Sequence, residues 1–112
     1  MKSYTTEING SFTIVRLSGS LDAVGSVDIE PDLRKIARSG ENIAIDQSDV
    51  TFITSQGVRL LVITAKIVNA KNKILVLIGP KPPISKVLSV MGIDKLIKIY
   101  ESANHIEAVK QE

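Results

Sequence analysis

Cysteine and tryptophan are absent from this chain, histidine occurs once, and two phenylalanines and two tyrosines supply all of its aromatic surface. Without cysteine there is neither a disulfide framework nor a thiolate metal site. With His105 as the sole histidine, a multi-histidine metal site is excluded too. So few rings leave little for nucleobases to stack on. The net charge is only +2, lysines and acids are interspersed, and the densest basic patch is "NAKNK". A mildly basic pI of about 9.0 is not by itself a nucleic-acid footprint, so no direct nucleic-acid partner is expected. A membrane-spanning run of about 20 apolar residues is also missing, because Arg59, Lys66 and Lys73 interrupt the longest apolar stretches. The opening "MKSYTTEING" lacks the apolar core of a signal peptide. These absences predict a cytoplasmic protein with no membrane insertion, no metal and no cofactor.

What is present reads as an ordered domain. Hydrophobic residues make up 44% and charged residues 23%, the balance of a globular chain rather than a disordered one. Its 112 residues suit one domain, 1–112, built on one core. "SFTIVRLSG" (11–19) alternates as a half-buried strand does, the weaker "SYTTEI" precedes it, and Asn9-Gly10 is a hairpin signal. "NIAID" (42–46) and "KILVLI" (73–78) are short runs rich in β-branched residues, typical of strands buried on both faces. "KLIKIY" (95–100) alternates again, as a half-exposed edge strand would.

Helical patterns separate these runs. In "PPISKVLSVMG", Ile84, Val87, Leu88 and Met91 fall at helical spacing ahead of Gly92. "EPDLRKIARSG" carries Pro31 near its start, an apolar face of Leu33, Ile36 and Ala37, and Gly40 past its end. The longest helix runs from Ser55 to about Ala70, and "NHIEAVKQ" forms a short last one. The order β-β-α-β-α-β-α-β-α predicts an α/β domain. Its mixed, mostly parallel sheet has about five strands with an N-terminal β-hairpin, accompanied by about four helices. In such sheets the loops leaving the carboxyl ends of the strands gather on one rim, where sites tend to lie. Those loops are Ser18–Ser26, Gln47–Ser55 and Gly79–Pro83, so Thr54 and Ser55 fall on that rim.

Each candidate there has a plain reading beside a functional one. Ser55, ahead of an apolar helix, serves as an ordinary N-cap, or as an acceptor of phosphate at a helix N-terminus that favours negative charge. Gly57 is costly inside a helix, by about 1 kcal/mol against Ala, which points to a close approach to the backbone. Val58, Leu61, Val62 and Ala65 form one apolar face, and Leu60, Ile63 and Ile67 carry it well round the helix. That extra surface is either buried by neighbours or left to dock a partner. A Ser55–His105 triad with Asp22, Asp46 or Asp49 lacks the flanking G-x-S-x-G pattern of a nucleophile elbow, so no enzyme activity is expected. "GPKPP" (79–83) looks like a phosphate loop, but its prolines remove the N–H donors such a loop needs. Asp46 and Asp49, placed at a strand's end with Asp49 starting a turn, are too few for a cation site.

These residues also carry a resemblance. "IDQSDVTFITSQGVRLL" resembles the central motif of STAS domains, the sulphate transporter and anti-sigma-factor antagonist family, through Asp46, Ser48, Val50, Phe52, Ser55, Gly57 and Val58. "LSGSLD" (17–22) resembles the stretch after the family's second strand, and "VLSVMGIDKLIKIYES" (87–102) its closing helix and strand. Thr54 stands where the family usually has an aspartate. The segment from Asp22 to Asn42 looks short, with Pro31 expected to restart or shorten the first helix. The resemblance implies an anti-sigma-factor antagonist that binds an anti-sigma factor with serine kinase activity. On that pattern Ser55 is the phosphoacceptor, with Thr54 as the alternative, and phosphorylation releases the partner. The partner-facing residues it implies are Asp22, Thr54, Ser55, Gln56, Gly57 and Arg59. The competing functions are a STAS adaptor without phosphorylation and a sensor for a small ligand or nucleotide.

Overall fold

The Asn9-Gly10 signal closes a hairpin in which Asn9 pairs with Phe12 and Gly10 takes φ 62 at the turn. In the computed structural model, which describes residues 3–108, that hairpin begins a five-stranded sheet. Its strands are β1 (Ser3–Asn9), β2 (Phe12–Leu21), β3 (Asn42–Ile53), β4 (Leu75–Ile78) and β5 (Ile99–Tyr100), side by side in chain order. The first pair is antiparallel and the other three are parallel. The helices α1 (Ala23–Ala37), α2 (Ser55–Ala70) and α3 (Pro82–Val90) make the crossovers.

Strand alternation sends Val15, Leu17, Ile43, Ile45, Leu75 and Leu77 to one face. There they pack with Ile29 and Leu33 of α1, Val58 and Leu61 of α2, and Ile84 and Leu88 of α3. The opposite face collects Phe12, Ile14, Ala44, Val76 and Ile78 under Ile106. "NIAID" and "KILVLI" are thus buried on both sides, as their unbroken hydrophobicity suggests. No helix among the described residues is long and apolar enough to cross a membrane.

The structure departs from the sequence reading in four places. The expected last helix is a 3-10 segment, Ala103–Ala108, and the rest of "NHIEAVKQ" lies outside the described residues. The edge strand is Ile99–Tyr100 alone, because the start of "KLIKIY" belongs to a 3-10 turn, Ile93–Lys95, and the bend after it. Pro31 neither starts nor shortens the first helix; it sits inside α1. Asp22 starts that helix instead, with its carboxylate accepting from the Gly25 N–H at 2.8 Å, while Pro31 and Val27 both lie on the exposed side. The interruption thus falls on the solvent side of the helix, where water can stand in for the donor that Pro31 lacks, which makes it tolerable.

The fourth departure builds the rim. Gln47–Ile53 and Ser18–Leu21, read as loops, are strand, and they pair with each other from Ser18–Asp49 to Leu21–Ile53. β4 stops opposite Asp46, so β2 and β3 continue past it as a two-stranded ribbon. Two register shifts, after Arg16 and after Gly19, each insert an extra residue into β3, and Gly19 takes φ 102 at the second. Such bulges break the alternation that marks a strand, so Val50 and Ile53 turn inward while Asp49, Thr51 and Phe52 face solvent. Asp46 and Asp49 accordingly lie within β3, neither at its end nor in a turn.

Candidate functional site

The ribbon delivers the chain to α2 at a point fixed by Leu21. Its carbonyl accepts from the Thr54 N–H at 3.2 Å, and one turn later Gly57 packs on the same residue. A Cβ on Gly57 would collide with the Leu21 carbonyl oxygen and come within 2.9 Å of Ile53 Cγ1. The close approach that a glycine so early in a helix implied is thus an internal one, between α2 and the end of β2.

Thr54, not Ser55, is the N-cap: its backbone is extended and its carbonyl accepts from the Val58 N–H at 3.0 Å. Its side chain makes no capping bond, and Thr54 Oγ1 is buried without a partner. Ser55 is the first helical residue, and it is exposed. Among the described residues its hydroxyl has one hydrogen-bond partner, Gln56 Oε1 at 3.5 Å, at the outer limit of a hydrogen bond. Ser55 is therefore free of the capping duty that the sequence allowed it, and its oxygen is open to solvent.

Asp22 stands at the other helix entering this rim. The Gly25 N–H, helped by the Ser20 hydroxyl at 3.1 Å, holds its carboxyl below the usual carboxylate range. Beneath the rim, burial pushes the Asp46 carboxyl up. The Ser48 N–H and hydroxyl at 2.9 and 2.7 Å, with Arg16 Nε at 3.1 Å, outweigh that and keep it ionised below the ordinary range. The family-like Asp46 and Ser48 thus tie β3 to β2 through Arg16, while Ser55 occupies the surface.

Of the residues picked from sequence, the rim brings together Asp22, Thr54, Ser55, Gln56 and Gly57 through Leu21, and Arg59 follows one helical turn on. Gln56 and Arg59 line a groove of about 170 Å³ between α1 and α2, opposite Ala23, Ser26 and Glu30. The apolar surface of α2 is not a free face: Leu60 is buried and Ile63 half-buried in that packing. The exposed hydrophobic residues here come from elsewhere. Phe52 of the ribbon is 56% exposed, and Val24 and Val27 of α1 are 71% and 70% exposed. Sequence reasoning named Phe52 only as a motif residue and passed over Val24 and Val27, although "DVTFI" carried the β-branched and aromatic signal of a strand. No group of three His, Cys, Asp or Glu able to hold a metal occurs among the described residues. The His105 side chain, considered for a triad, lies outside them.

Comparison with known proteins bears on the fold and the family. An anti-sigma F factor antagonist of Paenibacillus polymyxa is 29% identical over 100 residues, covering 88% of this chain and 84% of that protein. The crystal structure of an anti-sigma factor antagonist from Mycobacterium paratuberculosis superposes with a TM-score of 0.87 at 19% identity, covering 98% and 94% of the two chains. The Bacillus cell fate determinant SpoIIAA in its phosphorylated form gives a TM-score of 0.68 at 21% identity, covering 97% and 98%. The unphosphorylated form gives 0.69 at 20% identity, covering 97% and 96%. At these identities the solved structures establish the fold. The sequence match is firmer, because residues 3–105, from the first strand through the ribbon and Ser55 to the closing 3-10 segment, fit the STAS domain model: the chain belongs to the STAS domain family.

Proposed function

We propose that this protein is an anti-sigma-factor antagonist, a binding module rather than a catalyst, switched by phosphorylation at Ser55. Unphosphorylated, it engages an anti-sigma factor that is also a serine kinase and so frees a sigma factor; phosphorylated at Ser55, it lets go. The observation that carries this reading is the Ser55 hydroxyl itself. It is exposed at the first position of α2, with a single hydrogen-bond partner at 3.5 Å among the described residues, on a STAS rim. A kinase needs an unencumbered hydroxyl, and a phosphate there meets the positive end of a helix dipole. The relative solved in phosphorylated and unphosphorylated forms supports the same direction.

The partner surface we assign is Asp22, Thr54, Ser55, Gln56 and Arg59, joined by Phe52, Val24 and Val27; Gly57, also expected to face the partner, is buried against Leu21 and supports that surface from beneath. Apolar area there drives association, and a phosphate of about −1.5 to −2 charges opposes it through desolvation. The test pairs phosphopeptide mapping, after incubation with ATP and the cognate anti-sigma factor, with calorimetric titration of phosphoserine-55 protein. Label at Ser55 and a loss of affinity of about tenfold or more, or about 1.4 kcal/mol, are expected. Label undiminished in Ser55→Ala, or unchanged affinity, defeats the proposal, and label at Thr54 moves the switch by one residue.

One observation favours a second reading, a small-ligand sensor. A groove of about 760 Å³ opens between α3 and β5, lined by Pro80, Ser85, Lys86 and Tyr100 among others. It contains Gly79, Pro80 and Pro82 of "GPKPP" but none of the residues assigned to the switch, so a nucleotide that protects Lys86 from acetylation would separate the two readings.

A further inference from the structure

We infer that Arg59 is the internal receptor for a phosphate on Ser55, so that phosphorylation withdraws a cation from the rim as well as adding an anion. The inference rests on Ser55 being the phosphorylated residue. Positions four apart on a helix lie on one strip, with Cβ atoms about 5–6 Å apart. Helical side chains lean back toward the N-terminus, so the long Arg59 side chain has the reach and direction to meet a group on Ser55.

Arg59 is exposed and makes no ion pair among the described residues. The carboxylates around it are engaged elsewhere. Glu30, across the groove, holds Arg34 Nε at 2.8 Å; Asp22 caps α1; and the first turn of α2 carries no acid. The anion-favouring end of α2 is likewise unspent, since the Thr54 side chain makes no cap bond. A phosphate on Ser55 therefore finds an unpaired guanidinium whose planar fork matches two of its oxygens, beside uncapped backbone N–H groups.

In the unmodified protein the same guanidinium is available to an acidic group on the partner. Once the phosphate captures it, the partner loses that contact and meets net negative charge instead. A carboxylate at position 55 is shorter and carries less charge, so Ser55→Asp imitates the phosphorylated state incompletely.

The test needs no partner. Phosphoserine is installed at position 55 during translation in the parent, in Arg59→Gln and in Arg59→Lys, and the second ionisation of the phosphate is followed by ³¹P NMR. Besides Arg59, the titratable group on the groove is Glu30 from α1, and it is the same in all three proteins. A guanidinium clamp favours the dianion. The second acid constant in the parent should exceed that in Arg59→Gln by about threefold or more, about half a pKa unit, with Arg59→Lys between them. Phosphorylation should also raise the melting temperature of the parent more than that of Arg59→Gln. Equal ionisation in parent and Arg59→Gln overturns the clamp. Because no kinase takes part, that failure leaves the proposed function standing, and failure of kinase labelling at Ser55 leaves the clamp result standing.

Discussion

Replacing Gly57 with alanine sets two effects of opposite sign against each other. In an open helix the substitution would stabilise by about 0.5–1 kcal/mol, because glycine gives up more backbone freedom on folding. Here the new methyl meets the Leu21 carbonyl oxygen and lies within 2.9 Å of Ile53 Cγ1 and Leu21 Cγ. The nearest of these atoms is backbone, held by the sheet, and cannot swing aside as a flexible side chain can. Overpacking of this kind costs about 1–3 kcal/mol. Moving the Leu21 carbonyl also strains its bond from the Thr54 N–H at 3.2 Å, which contributes about 0.5–1.5 kcal/mol. The balance is a loss of about 2 kcal/mol, which for a chain of this size lowers the melting temperature by roughly 8 °C. Gln56→Ala, exposed one residue earlier, is the control and should stay within about 0.5 kcal/mol of the parent. The assay is thermal unfolding followed by far-ultraviolet circular dichroism, checked by urea titration. If Gly57→Ala melts at or above the parent, helix propensity has outweighed the contact, and the account of how Leu21 seats α2 is wrong.

Three further outcomes test other parts of the fold. Pro31→Ala should stabilise by about 1–2 kcal/mol in urea unfolding, since it restores the missing donor within α1 and gives back part of proline's helix penalty; no gain would mean that the interruption carries no helical cost where it sits. Asp46→Asn should cost about 1–3 kcal/mol at neutral pH by weakening the links to Arg16 and Ser48. The depressed folded-state pKa of Asp46 gives stability that is present above its unfolded pKa of about 3.9 and lost as pH falls through the folded value. The gap between parent and variant should therefore close in acid, and a gap independent of pH would refute the charge assignment. Phe52→Ser should leave stability nearly unchanged, given a ring 56% exposed. It should nevertheless weaken anti-sigma-factor binding by about tenfold, as loss of an exposed aromatic anchor does; unaltered affinity in titration calorimetry would remove the ribbon from the interface.

The sequence alone determined the alternation of strands and helices, the first hairpin, the doubly buried strands β3 and β4, and the placing of Ser55 at a helix start on the rim. These follow from periodicity and turn chemistry within a few residues of each position, so one-dimensional pattern suffices. The motif from Asp46 to Val58 was equally plain, because the spacing of its residues is itself the signal. Only the tertiary structure decided what those residues do for one another. The ribbon was hidden because two bulges break the alternation of Ser48–Ile53, and a bulge shows only against the strand it pairs with. Capping passed from Ser55 to Thr54 because Leu21, far away in sequence, fixes where the extended backbone ends. Pro31 stayed inside α1 because it and Val27 lie on the exposed side of the helix, which depends on how the helix lies on the sheet. The apolar excess of α2 was spent on α1, leaving Phe52, Val24 and Val27 as the exposed hydrophobic residues of the rim. Burial is a property of neighbours, and neighbours are set by pairings across the chain that local pattern does not encode.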